Sequence, residues 1–66
     1  LAKLPRLTPQ QAEKMLLKVG FEMIRSKGSH RIYRKGNKRI ILPFHPGRIL
    51  HPKIVKQVLR WTEDTG

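Results

Sequence analysis

The chain contains no cysteine. That removes disulfide staples and thiolate metal sites, and it fits a reducing compartment. No apolar run approaches the roughly 18 residues of a membrane span. No secretory pattern opens the sequence either, so the cytoplasm is the expected location. Acids are scarce: Glu13, Glu22, Glu63 and Asp64 are the only four, and they sit toward the two ends. Two-metal nucleases need clustered carboxylates, which four scattered acids do not supply. Phosphate-binding Walker and dinucleotide glycine patterns are absent. Ser29 adjoins His30, but no third, orienting acid accompanies the pair, so acyl transfer is unsupported.

Positive charge is what the chain has in excess. Fifteen Lys and Arg against four acids give a net charge of +11. From Arg25 to Arg60 there are eleven basic residues and no Asp or Glu. Self-repulsion of this size destabilises a compact state, so solubility alone is a poor reason for it. A polyanion is the better one, with nucleic acid ahead of an acidic protein. No helix pairs a cationic face with a broad apolar one, which argues against a membrane surface. With 66 residues, the chain reads as one domain, residues 1–66. A chain of this size buries only about 60% of its unfolded surface, and small folds of this kind often gain stability from a partner.

Residues 1–7 read as an irregular basic lead-in. Thr8-Pro9-Gln10-Gln11 is a helix start: a capping Thr, Pro at the first helical position and Gln11 completing a capping box. Ala12, Met15, Leu16 and Val19 then recur at helical spacing, and Gly20 closes a first helix over 9–19. Three short β-like runs follow: 21–26, 30–35 and 38–43. Turns at Lys27-Gly28 and Gly36-Asn37 separate them, which indicates an antiparallel meander. On the second run, His30, Ile32 and Arg34 share one face, and Arg31 and Tyr33 the other. After a loop holding His45-Pro46-Gly47, Pro52 opens a second helix. Its apolar stripe is Ile54, Val55, Val58, Leu59 and Trp61, and residues 62–66 fray. The fold class is α+β, in the order α-β-β-β-α, with a three-stranded antiparallel sheet and both helices on one of its faces.

The chemistry concentrates at Lys27-Gly28-Ser29-His30-Arg31-Ile32-Tyr33-Arg34. Imidazole is the side chain whose ordinary pKa lies nearest neutral pH, and here it follows a glycine turn among cations. Those groups suit transfer of an RNA 2′-hydroxyl onto the adjacent phosphorus. That step needs a proton acceptor, a donor to the leaving 5′-oxygen and cations for the phosphoryl charge. It needs no metal, and no cofactor is expected. Lys27, Arg31 and Arg34 are candidate phosphate contacts. Gly28 and Ser29 either approach a phosphate or simply make the turn. Tyr33 divides between base stacking and packing. Phe21 and Phe44 belong at the core edge, and Trp61 in the core. His45 divides between the RNA surface and a structural loop role. His51 reads as a helix N-terminal residue. The three histidines match no zinc spacing.

Gly20-Phe21, Arg25, Gly28-Ser29-His30, Ile32-Tyr33-Arg34, Pro43, His45 and the Pro52 helix together resemble the HicA family of prokaryotic toxins. The resemblance spans about residues 9–61. It implies a fold similar to a double-stranded-RNA-binding domain and, as function, an mRNA interferase: the toxin of a type II toxin–antitoxin pair, blocked by a HicB-like antitoxin. It places the family's catalytic histidine on His30. Many members carry a second histidine directly after the first, where this chain has Arg31. Two other readings stand beside it: a non-catalytic RNA-binding module of the same fold, and a basic module whose only ligand is an acidic protein.

Overall fold

The Thr8–Gln11 capping box forms as its residue types dictate. Gln11 N–H donates to Thr8 Oγ1 at 3.2 Å, and Thr8 N–H donates to Gln11 Oε1 at 2.9 Å. With Pro9 at the first helical position, this starts α1, Pro9–Lys18. Val19 is the C-terminal cap rather than the last helical residue. Gly20 follows with φ +105°, and Phe21 N–H bonds back to the Leu16 carbonyl at 2.9 Å. The remaining elements are β1 (Glu22–Lys27), β2 (His30–Lys35), β3 (Lys38–Pro43) and α2 (Pro52–Glu63). This computed structural model describes residues 4–45 and 47–63. Residues 1–3 of the expected lead-in, Pro46 of the loop and residues 64–66 of the expected tail lie outside the described residues.

The sheet is antiparallel in the order β1-β2-β3, and both β-links are two-residue turns, at Gly28-Ser29 and Gly36-Asn37. The first turn thus falls one residue later than the sequence suggests. Gly28 (φ +58°) and Gly36 (φ +60°) have positive φ, and Ser29 and Asn37 do not. Positive φ at the first central residue alone is the type II′ pattern, which matches strand twist and calls for glycine there. Strand β1 is displaced by one residue from expectation. A bulge between Met23 and Arg25 breaks its pairing with β2, which accounts for the imperfect alternation of Phe21, Met23 and Ile24. It is an edge strand, exposed along its whole length.

One cluster of buried side chains joins the elements. Ala12 and Leu16 come from α1, Tyr33 from β2, Ile40 and Leu42 from β3, and Val55 and Val58 from α2. Leu7, Phe21 and Leu50 close it from the connections, with Leu50 N–H donating to the Leu7 carbonyl at 2.8 Å. Phe21 is therefore core rather than core edge. Its ring stacks on Trp61 at 5.9 Å between centroids, holding the end of α2 over the start of β1. Helix α2 extends through Glu63, so Thr62 and Glu63 belong to the helix and not to a fray.

Because only one sheet face packs, truncation should be sharply asymmetric. Leu16→Ala is expected to cost about 2–5 kcal/mol or to unfold the chain outright. Ile41→Ala, on the open face, should stay within about 0.5 kcal/mol. Urea unfolding of the two variants checks this; equal losses would mean that both faces are packed.

Candidate nucleic-acid interface

Side chains alternate across a strand, and residues paired across strands share a face. Tyr33 pairs with Ile40 and Arg31 with Leu42, so these face the helices. The other face then reads in three rows. His30 lies between Lys27 and Pro43, Ile32 between Arg25 and Ile41, and Arg34 between Glu22 and Arg39. His30, Lys27, Arg25, Arg34 and Arg39 are all exposed there. Arg34 and Arg39 stand directly opposite one another on this face; Lys35 and Lys38 are also paired at the hairpin end, but on the helix side. Like charges abreast are destabilising, and among the described residues only Glu22 offsets this face. Ile32 and the 47%-exposed Ile41 form an apolar centre inside the cationic frame.

His30 is the first residue of β2, at the end of the sheet. The Gly28-Ser29 turn precedes it. A Cβ added at Gly28 would meet nothing within 4 Å, so the turn's φ, not crowding, requires the glycine. The Ser29 carbonyl accepts from Phe44 N–H, which ties the turn to the chain leaving β3. His45 lies two residues beyond Pro43, the cross-strand partner of His30, and is exposed. Lys27, Gly28, Ser29, His30 and the Phe44-His45 segment therefore gather at one end of the sheet.

Arg31 and Tyr33 point the other way. Tyr33 is wholly buried, and its hydroxyl donates to Glu13 Oε2 on α1. Its ring is a core element and has no face free for a base, which corrects its place among the RNA contacts. Arg31 Nη1 donates to the same Glu13 oxygen at 3.0 Å, and its guanidinium lies over the Phe44 ring, 4.0 Å from the centroid. So Arg31 is a partly shielded, paired cation, unlike Arg34. The bond to Glu13 raises the Arg31 pKa, and burial followed by the bond to Glu13 raises that of Tyr33. Glu13 is a site residue that the sequence reading does not single out, yet a signal exists. Residues 9, 12, 13 and 16 form the i, i+3, i+4, i+7 arc of an inward helix face, and an acid stands in it.

His51 caps α2, its Nδ1 accepting from Lys53 N–H at 3.1 Å, as its position suggests. Among the described residues no three His, Asp or Glu side chains come together as a metal site. A small hollow of about 270 Å³ lies between Pro9, Gln10, Arg31, Phe44 and His45. A larger one, about 760 Å³, runs along α1 between Leu7, Gln11, Lys14, Met15, Leu17 and Lys18, and none of the candidate site residues lines it.

The fold and this face define a small α+β domain with one sheet face open, cationic and carrying a single histidine. A family model described as the HicA toxin of bacterial toxin-antitoxin matches residues 9–63. The chain belongs to that family. No curated protein and no solved structure gives a significant match. Among the described residues, no helix is long and apolar enough to cross a membrane.

The raised Tyr33 pKa has a stability consequence. The folded state holds the phenol protonated, while the unfolded chain ionises it near pH 10. Its contribution is therefore complete below about pH 10 and is lost as pH rises through the folded value. Tyr33→Phe should be less stable than the parent at pH 8, and the gap should narrow steadily above about pH 10. Urea midpoints between pH 8 and 11 measure it; a constant gap would mean that the phenol is not held protonated by the fold.

Proposed function

We propose that this protein is a ribonuclease toxin that cuts RNA by acid–base chemistry with His30, without a metal. The observation that carries the reading is the placement of His30. It is exposed at the sheet's end, in register with Lys27, on the face that also presents Arg25, Arg34 and Arg39. Membership of a toxin family supports it. The cations bind the phosphates of an RNA strand, and the imidazole sits where one phosphodiester crosses them. The 2′-oxygen forms a bond to phosphorus while the bond from phosphorus to the 5′-oxygen breaks. One proton leaves the 2′-hydroxyl and another reaches the 5′-oxygen, and His30 is the acid or the base in that exchange. Lys27, His45 or water supplies the other role; Tyr33, buried against Glu13, does not. The products are a 2′,3′-cyclic phosphate and a 5′-hydroxyl. The partner is an acidic, HicB-like antitoxin that covers the cationic face, and the compartment is the cytoplasm.

General acid–base assistance is worth roughly 10²–10⁴ in rate. His30→Ala is therefore expected to lose cleavage by that factor and to keep its affinity for RNA. DNA of the same sequence, lacking the 2′-oxygen, should bind uncut, and EDTA should not slow the reaction. Gel assays with end-group analysis read all of this. Wild-type cleavage by His30→Ala would leave a binding module of the same fold with a contaminating activity, and a reaction stopped by EDTA would replace the imidazole mechanism with a metal one.

A further inference from the structure

We infer that the hollow between the first turn of α1 and the segment leaving β3 holds one unpaired base of the RNA. The inference rests on the ribonuclease reading and gives it a base-recognition pocket. The hollow is lined by Pro9, Gln10, Arg31, Phe44 and His45. Its position is set by register. Arg31 follows His30, and Phe44 follows Pro43, the cross-strand partner of His30. His30 opens its strand, so imidazole and hollow lie on the two sides of the sheet's end. A nucleotide draped over that end places its phosphate at His30 and its base in the hollow, without passing through the sheet.

The lining groups suit a base better than a phosphate. The Arg31 guanidinium lies over the Phe44 ring at 4.0 Å, and Glu13 holds its Nη1 at 3.0 Å. Those two contacts fix the plane in one orientation, and its side chain remains 38% exposed. Glu13 also offsets the Arg31 charge, which weakens it as a phosphate clamp and leaves its planar face as the feature on offer. Unpaired bases are bound by stacking on aromatic rings or arginine planes, with hydrogen bonds to their edges. Gln10 supplies the edge reader. Its amide is both donor and acceptor, and unlike Gln11 it is not engaged in the capping box. His45, exposed at the rim, faces the sugar or the next phosphate. A volume of about 270 Å³ falls just below the roughly 300–1,000 Å³ of drug-sized sites, which suits one flat ring system.

Two measurements test the pocket, and the first does not depend on cleavage. Titrating the isotope-labelled protein with each of the four nucleoside 3′-monophosphates should shift the Gln10 side-chain amide and the Phe44 and His45 backbone amides. The shifts should be strong for one or two bases and absent with ribose 5-phosphate, which has no base. Second, the cleavage-site profile of a random RNA pool should lose its preference at one nucleotide position by roughly tenfold in Gln10→Ala. Phe44→Leu, which keeps apolar bulk but removes the ring beneath Arg31, should flatten the same position. Equal shifts from ribose 5-phosphate, or no shifts at these groups, would overturn the pocket. So would His30-dependent cleavage with the parent's preference intact in both variants. Should no RNA be cut by any form, the ribonuclease reading fails, and the nucleotide titration still decides whether a base binds here.

Discussion

Strand β2 is central in the sheet, so each of its side chains goes either under the helices or onto the open face. Arg31 and Tyr33 go under: the Tyr33 hydroxyl enters the core, and the partly exposed Arg31 guanidinium lies at its edge. Unpaired, the buried phenol would cost stability, since a buried donor needs a partner. A single carboxylate oxygen of Glu13 accepts from both side chains and so lets the strand sit with this face inward. His30, Ile32 and Arg34 are then turned outward by the same alternation. A one-residue slip would exchange the two sets, burying the imidazole and exposing the tyrosine. The Glu13 contacts and the two tight turns thus decide which side chains pack and which remain available to a ligand.

Much of this is legible in the sequence because it is local. The capping box at Thr8, the glycine after α1, the boundaries of β2 and β3, and the capping role of His51 all follow from short-range rules about donors, φ and alternation. What the sequence hides is long-range. Tyr33 divides between stacking and packing, because a tyrosine amid cations suits either. Only the helix lying over it, with an acid aimed at its hydroxyl, decides the matter. Alternation already sets Arg31 and Arg34 on opposite faces, but which face lies under the helices is not local, and the partner eighteen residues upstream makes the difference chemical. Glu13 itself stands in an inward arc of α1, where charge alone gives no hint of which side chains it will meet. The bulge in β1 shifts that strand by one residue, and no turn or proline marks it.

The open face shows the cost of the proposed task. Arg34 and Arg39 form a repulsive pair that a sheet selected for stability alone would exchange for opposite charges. The buried cluster that must hold them is small. A polyanion laid across the face relieves the repulsion, and so does an acidic protein. In the function proposed above, RNA and the antitoxin share this driving force and compete for the face. Ile32 and Ile41, apolar at the centre of the frame, add a surface that a protein partner can cover and a phosphate backbone does not need.

The central claim is that the outward cations, and not the inward one, hold the RNA backbone. The most direct measurement is the salt dependence of RNA binding by Arg34→Ala and Arg31→Ala side by side. Removing one phosphate interaction with a single strand flattens the slope of log affinity against log salt by about 0.7. Arg34→Ala should show that flattening for RNA of any sequence, while Arg31→Ala keeps the parent slope and instead unfolds at lower urea. Equal flattening in both variants, or a parent affinity indifferent to salt, would contradict the account.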